Sequence, residues 1–429
     1  MKDTKYMLID SSLYDYAFLE EKLTRLSAEG WHLEKAGILG WKFRRGEPKA
    51  VRYAVTFAPS ASAFNSRPTE AEEDLAELCA QAGWVRVANH AQRHIYRNED
   101  PDATPLETDE AERLKNIRRT MNKHFFPTEL LMIAVFLMQF FMHFHTLTLW
   151  PSRTLSSPMM LCPLGMSLFV AVIHGMMAVN GILWLRRARI AVEDGETLPE
   201  DRFYRWFRWV IWVFLIGYLL CLFWSVGLGF LAWVIGTSAA VLLVTAGGIT
   251  LCKKLNAPRW VNMVVPAGLC FLTLALLVPL LIFSVDRSMN QELPPAEDLP
   301  VTLTQLNGET GTERYILEES SSILSSYGRY SDAGEASLRY TIIDVKCPLI
   351  YDMLLNEQED EFKITAHYSV ESDVADHAAL FGADYVRHAP GPLGDRWFIC
   401  WDSRIVNLKA SWELTEEQIA MLAEALKPE

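Results

Sequence analysis

Polar side chains are few in the long apolar block at 127–285, and the candidate site residues among them are Gln139, His143 and His174. His143 and His174 fall on two predicted helices, so they would ligate haem or a metal ion between those helices. The alternative is a hydrogen bond between Gln139 and His174, which lie near the middle of their spans. Such polar pairs hold membrane helices together. The similar predicted depths of Gln139 and His174 in the membrane favour the hydrogen bond. We therefore predict no cofactor, metal or catalytic residue here.

Two cysteines, Cys347 and Cys400, are the only ones after the apolar block, and each falls at or near the end of a predicted strand. If this part of the chain lies outside the cell, oxidising conditions permit a disulfide between them. Two unpaired thiols are the alternative.

Aromatic residues mark two helix ends in the first hundred residues. Trp31 follows Gly30, and Trp84 follows Gly83, each just after a predicted helix. Glycine suits the left-handed position after a helix, and a tryptophan beyond it can fill the core. The alternative is a ligand site formed by Trp31 and Trp84 together with Trp41, His32 and Arg44.

Enzyme signatures are absent from the sequence. It contains no His-Glu-x-x-His, Gly-x-Ser-x-Gly or Cys-x-x-Cys motif and no Gly-rich phosphate loop. It also has no basic stripe of the kind that binds nucleic acid. We therefore expect a protein that is not an enzyme.

Five apolar stretches position the intramembrane residues, each near the ~20 residues that a helix needs to cross a bilayer. They are 127–149, 158–185, 209–226, 228–252 and 261–285. Basic clusters flank them on alternate sides, for example Arg118 and Arg119 before the first and Arg186 and Arg187 after the second. By the positive-inside rule, the N-terminus is cytoplasmic and the C-terminus extracytoplasmic in a bacterial plasma membrane.

Charge is unevenly distributed along the 429 residues. Residues 286–429 hold 27 Asp and Glu against 11 Lys and Arg, a net charge of −16, whereas the whole chain carries −13. The predicted boundaries are a cytosolic domain at 1–100, a helical connector at 101–126, spans at 127–285, a linker at 286–299 and an extracytoplasmic domain at 300–429. The fold class is a multi-domain α+β membrane protein.

The cytosolic domain shows an internal duplication, since helix, Gly-Trp and strand recur in both halves. A turn at Gly46-Glu47-Pro48 predicts a hairpin between the halves. The order βαββαβ indicates a ferredoxin-like fold. In the extracytoplasmic α+β domain, strands are predicted at 301–306 and 338–346. A hairpin is predicted around Asp402-Ser403, and a helix with a capping box begins at Thr415.

A family resemblance rests on the segments AEGWHL, WKFRRGEPKAVRYAV, AGWVRV and HIYRN, followed by a basic helix and membrane spans. They resemble an uncharacterised bacterial membrane-protein family, whose N-terminal cytosolic domain of unknown function is often associated with PadR-type transcriptional regulators. The resemblance implies a regulatory setting and supplies no catalytic residues.

Domains on both sides of an uncharged bundle predict a sensor or regulatory scaffold that signals to a protein partner in the cytosol. The lipid bilayer is its other partner, direct nucleic-acid binding is not expected, and homo-oligomerisation is left open. The alternatives are a component of a transport or envelope-stress system for small hydrophobic compounds, or a hydrolase with an unrecognised outer site.

Overall fold

The computed structural model describes residues 3–9, 11–37, 40–49, 51–58, 68–90, 92–100, 102–289, 299–308, 313–365, 375–391 and 394–428. The chain divides into two compact units. The first comprises Met1–Leu137, Leu168–Leu219 and Gly229–Val278, and the second comprises Met138–Ser167, Leu220–Leu228 and Pro279–Glu429.

In the first unit, the N-terminal domain repeats one βαββ motif twice. The first copy consists of β1 (Thr4–Met7), α1 (Tyr16–Ala28), β2 (Trp31–Lys35) and β3 (Trp41–Arg45). The second consists of β4 (Arg52–Phe57), α2 (Glu70–Gln81), β5 (Val85–His90) and β6 (Arg93–Asn98). The strands form two antiparallel sheets with the equivalent orders β1-β3-β2 and β4-β6-β5. The predicted duplication therefore appears in the topology.

The ferredoxin-like arrangement is not confirmed, because the six strands form two sheets of three. The difference arises at Gly46-Glu47-Pro48, where the sequence predicts a hairpin. Instead, the amide of Gly46 donates to the carbonyl of Gly30 at 2.9 Å, and the amide of Lys49 donates to that of Ser27 at 3.2 Å. This segment thus returns to the end of α1 and connects the two copies.

The two Gly-Trp sites are similar in backbone but differ in burial. Gly30 and Gly83 end their helices with φ of 85° and 79°, values that glycine adopts without steric cost. Trp84 is 2 % exposed, and its indole N–H donates to the carbonyl of Thr104 at 3.2 Å. Trp31 is partly exposed, and the Lys5 and Arg45 cations lie 5.5 and 5.8 Å from its ring.

The connector and the first predicted span are one helical segment. α3 (Glu110–Thr120) leads through a π-helical turn, Met121–Phe125, into α4 (Phe126–Leu149). Asp109 caps α3, because its carboxylate accepts the amides of Ala111 and Glu112. The connector predicted at 101–126 therefore ends without a break in the apolar helix.

The remaining long helices are α6 (Pro158–Glu193), α7 (Arg202–Lys254) and α8 (Arg259–Met289). Within the described residues, four segments are long and apolar enough to cross a membrane: Glu110–Leu149, Pro158–Glu193, Arg202–Leu220 and Ile235–Cys252. These helices are consistent with a membrane protein. The fifth predicted span lies within α8, where side chains from 277 onward are outside the described part.

α7 differs from the prediction, because it is helical through 225–229, where a turn between two spans is expected. No proline interrupts this stretch, and glycine costs a helix only ~1 kcal/mol per site. At 1.5 Å per residue its 53 residues measure about 80 Å, roughly twice the thickness of a bilayer. The number of membrane crossings therefore stays a prediction.

The second unit contains a six-stranded antiparallel sheet, order β10-β11-β12-β9-β8-β7. Its strands are β7 (Glu313–Ser321), β8 (Ser325–Ala333), β9 (Ser337–Val345), β10 (Tyr385–Ala389), β11 (Asp395–Trp401) and β12 (Arg404–Ala410). The predicted hairpin at Asp402-Ser403 is confirmed, since Trp401 pairs with Arg404.

Helices cover both faces of this sheet: α5 (Pro151–Ser156), α9 (Leu303–Asn307), α10 (Tyr351–Thr365), α11 (Ala375–Phe381) and α12 (Glu416–Leu426). Trp397, Ile399 and Trp401 of β11 belong to a core shared with α9, α11 and α12. Phe398 and Cys400 belong to the opposite core, shared with α5 and α10. The alternation of side chains along β11 therefore places one set on each face.

One predicted strand in this domain is wrong. Residues 303–307 form α9 rather than a strand, because Thr302 and Gln305 form a capping box and Gly308 ends the helix at φ 78°. The capping box predicted at Thr415 is present at the start of α12. Most of the predicted linker, 290–298, lies outside the described residues.

The difference in burial between Trp31 and Trp84 predicts unequal effects of truncation. Trp84→Ala should cost about 3–5 kcal/mol of local stability, because it leaves a cavity in the second copy of the motif. Trp31→Ala should cost clearly less. Hydrogen exchange in the full-length protein measures both, in the β1, β2 and β3 amides for Trp31→Ala and in the β4, β5 and β6 amides for Trp84→Ala. Equal loss of protection in the two variants would contradict the observed burial.

Candidate functional site at the junction of the N-terminal domain and the helices

A buried tyrosine joins the N-terminal domain to the helices of the first unit. Tyr14, in the loop before α1, is 1 % exposed, and its hydroxyl accepts a hydrogen bond from the amide nitrogen of Asn180 at 2.8 Å. Its ring centroid lies 4.7 Å from that of Trp184, one turn further along α6. Burial raises the pKa of Tyr14, so the side chain remains a neutral hydroxyl.

Asp201 completes this group, which we call the junction triad: Tyr14, Asn180 and Asp201. The Asp201 carboxylate is fully buried and accepts from the Asn180 side chain at 3.1 Å. The same oxygen accepts the amide of Tyr204 at 3.2 Å, which satisfies a free donor at the start of α7. A single aspartate therefore both caps α7 and fixes the asparagine that holds Tyr14.

A second acidic residue lies beside the triad. Asp15 is 2 % exposed, and burial raises its pKa to about 6, with Arg205 lowering it and Asp201 raising it. Arg205 also pairs with Glu200 at 2.7 Å. The junction therefore contains a carboxyl group that changes charge in mildly acidic conditions.

The connector helix is held to the same domain. The Arg113 guanidinium bonds Glu107 at 2.9 Å, Glu110 at 2.6 Å and the Tyr16 hydroxyl at 3.2 Å. One turn on, Ile117 and Met121 are fully buried in the core that also contains Leu19, Leu23 and Trp184. The N-terminal core therefore extends without interruption into the start of α4 and the last turns of α6.

A hydrogen-bonded pair that sequence reasoning missed lies further along α4 and α6. Nδ1 of His174 is 2.7 Å from the carboxylate of Glu129, which is 8 % exposed. Gln139 is exposed on α4 and falls in the second unit, so its hydrogen bond to His174 stays a prediction. Glu129 immediately precedes the uncharged run that begins at Leu130, and nothing in its local sequence indicates that it is a partner of His174.

The other predicted site residues are dispersed. His143 is partly exposed on α4, and no cluster of three or more His, Cys, Asp or Glu residues suited to a metal occurs in the described residues. Trp41 and Trp84 lie in different core clusters, and the His32 ring bonds the carbonyl of Glu47 at 2.9 Å. The structure does not bring these side chains into one pocket.

In the second unit, the turn between α4 and α6 is embedded in the C-terminal domain. α5 forms this turn, and its Leu155 is 4 % exposed in the core that contains Phe398 and Cys400 of β11. The Ser152 amide donates to Glu357 at 2.7 Å, the Ser156 and Ser325 hydroxyls lie 2.9 Å apart, and Arg153 pairs with Glu318 at 3.2 Å. Polar and apolar contacts together anchor α5.

Cys347, Cys400 and His388 of the C-terminal domain lie among residues that stabilise the fold. Cys347 and Cys400 are both free thiols, and burial raises the pKa of Cys400 to about 12. The His388 ring is 3.2 Å from the Asp395 carboxylate and stacks on Trp397 at 3.9 Å. The other Asp395 oxygen accepts a hydrogen bond from the amide of Leu414 at 2.8 Å. This aspartate therefore holds the segment that immediately precedes α12.

Comparison with known proteins finds a family match for one part of the chain. Residues 15–128 match the model of a family described as a protein of unknown function (DUF2812). That match supports an uncharacterised family. It spans α1 to the start of α4, including the connector and the π-helical turn, which agrees with the continuous core of these segments. No curated protein and no solved structure matches the chain.

The raised pKa of Asp15 predicts a pH-dependent junction. Between about pH 4 and 6 the folded state binds a proton that the unfolded state has released, so stability falls as pH rises through this window. Asp15→Asn should therefore stabilise the protein at pH 7, by up to about 3 kcal/mol, and change little at pH 4. Denaturant unfolding in detergent at both pH values measures this.

The exposed Asp3 of the same domain supplies the control. Asp3→Asn should leave stability unchanged at both pH values. An Asp15→Asn variant whose stability relative to the wild type is the same at pH 4 and pH 7 would show that the burial of Asp15 has no energetic consequence.

Proposed function

We propose that the protein is a membrane-embedded sensor or regulatory scaffold, in which an extracytoplasmic C-terminal domain influences a cytosolic N-terminal domain. The expected output is contact with a protein partner in the cytosol, and the resemblance to PadR-associated domains suggests a transcriptional regulator. The activity is non-enzymatic in this proposal.

One observation carries the proposal: the α4–α5–α6 hairpin is held at both ends by a folded domain. At one end α5 is buried in the C-terminal sheet domain. At the other, the first turns of α4 and the last turns of α6 belong to the N-terminal core. Helices buried at both ends transmit displacement better than flexible linkers, because their backbone hydrogen bonds resist extension and bending.

Charge supports the orientation. The start of the first span carries Arg118 and Arg119 and the end of the second carries Arg186 and Arg187, whereas α5, at the opposite end of the hairpin, has only Arg153. The acidic composition of 286–429 agrees with a location outside the anionic inner leaflet.

A second candidate function, transport of small hydrophobic compounds, is favoured by the pair of Glu129 and His174. Ionisable residues within membrane segments often mark a transport pathway. Glu129→Gln separates the two functions: it should abolish export of a hydrophobic dye by a transporter, whereas a sensor should retain communication between its domains.

The orientation predicts the activity of fused reporters. Alkaline phosphatase, which folds only outside the cytosol, should be active when fused after Glu429 and inactive when fused after Arg189. Green fluorescent protein at the same two positions serves as the reciprocal control. Activity at Arg189 with none at Glu429 would reverse the proposed topology.

Communication between domains predicts a remote effect of loosening α5. Leu155→Ala should create a cavity that costs about 2–5 kcal/mol in the C-terminal domain. If α4 and α6 transmit this change, amide exchange in 11–28 should also increase. Hydrogen exchange of the full-length protein in nanodiscs measures both regions. Leu349→Ala, a matched change at a 93 % exposed leucine of the same domain, should affect neither.

The connector supplies the second part of that test. Inserting three glycines between Asn116 and Ile117 should weaken the remote response to Leu155→Ala, because each glycine costs a helix about 1 kcal/mol. The same insertion between Asp102 and Ala103, in an exposed loop before α3, should leave the response intact. A Leu155→Ala variant without any remote change would remove the main support for the sensor proposal.

A further inference from the structure

A basic groove lies between the connector helix and the inner end of α6, all within the first unit. It has a volume of about 730 Å³. Its polar rim consists of Lys115, Arg118, Arg119, Arg186 and Arg189. Its apolar wall includes Leu114, Phe126, Ile182 and Leu185. Five cations therefore surround an apolar surface.

Three of these cations have no counter-ion within the part of the chain that the structure describes. Lys115 pairs with Glu112 at 2.9 Å, and Arg189 pairs with Glu193 at 2.9 Å. Arg118, Arg119 and Arg186 make no ion pair with any residue that the structure describes. Guanidinium groups bind phosphate through paired hydrogen bonds, so three neighbouring unpaired ones favour an anionic phosphate ligand.

The position of the groove specifies the rest of that ligand. On α6 the apolar run ends at Leu185, and the arginines begin at the next residue. On the facing segment, Arg118 and Arg119 precede the π-helical turn, and Phe126 opens the apolar helix α4. Both walls thus change from apolar to basic at the same end of the groove, the polarity expected where a membrane span meets the headgroup layer.

We propose that this groove binds an anionic phospholipid of the leaflet next to the N-terminal domain. Its phosphate contacts Arg118, Arg119 and Arg186, and an acyl chain lies along Phe126 and Ile182. A free phosphate would satisfy the rim but leave the apolar wall uncovered. A zwitterionic phospholipid would cover the wall but add no net negative charge. The proposal does not depend on the sensor function, because lipid binding is measured without any signalling output.

The two walls come from elements that also form the junction. α3 carries Ile117 of the N-terminal core, and α6 carries Asn180 and Trp184. A lipid that bridges α3 and α6 would therefore stabilise the docked arrangement of the domain.

Lipid retention by the purified full-length protein tests the proposal. Native mass spectrometry in detergent counts bound phosphatidylglycerol and phosphatidylcholine, each added at equal concentration. The wild type should retain phosphatidylglycerol preferentially. Replacing Arg118, Arg119 and Arg186 together by Gln should reduce that retention by about tenfold or more, since each basic residue near the surface strengthens attraction to anionic lipid.

A matched variant controls for net charge. Replacing Arg202, Lys254 and Arg259 by Gln removes three cations from other helix ends and should leave retention unchanged. Replacing the three groove arginines by Lys preserves charge and should restore most of the binding, which separates lost recognition from misfolding. Ile182→Asp should weaken retention while the three arginines remain.

Three outcomes would overturn the proposal. The first is equal retention of phosphatidylglycerol by the wild type and the groove Gln variant, and the second is equal loss in the groove and control variants. The third is full displacement of the lipid by inorganic phosphate at the same concentration, which would identify a site for free anions.

Discussion

The hydrogen bonds between Tyr14, Asn180 and Asp201 are the interaction on which the first unit depends. These groups are almost completely removed from water, and buried polar groups are costly unless each finds a partner. Their partners come from the N-terminal loop, from α6 and from the start of α7. Apolar contacts at Ile117, Met121 and Trp184 tolerate small displacements, whereas these hydrogen bonds weaken steeply when the distance or angle between their partners changes.

The C-terminal domain fixes its end of the hairpin by a different balance of forces. α5 has six residues, too few to be stable as an isolated helix. It is ordered because Leu155 lies in an apolar core and because Ser152, Arg153 and Ser156 bond to neighbouring segments. A short turn that would otherwise face solvent becomes part of the sheet domain.

Local patterns made much of the fold predictable. Alternation along β11, the capping box at Thr415 and the repeated Gly-Trp ends are determined by neighbouring residues, and the structure contains each of them. One error was local, since the strand predicted at 301–306 overlooked the capping box of Thr302 and Gln305. The others arose where distant contacts decide the outcome. The six N-terminal strands could pair in more than one order, and Gly46 returns to Gly30 instead of closing a hairpin. Glu129 and the junction triad were missed because their significance depends on partners more than twenty residues away.

The π-helical turn at Met121–Phe125 changes which faces of α3 and α4 lie on the same side of the helical segment. A π-turn accommodates an additional residue within one helical turn, and successive residues of an α-helix are rotated by about 100°. The turn therefore offsets the faces of α3 from those of α4, so that Ile117 points into the N-terminal core while α4 presents Glu129 to His174. A chain with one residue fewer at this position would form a regular helix and satisfy only one of those two contacts. The five-residue π-helical turn thus determines how α4 is rotated about its axis relative to the N-terminal domain.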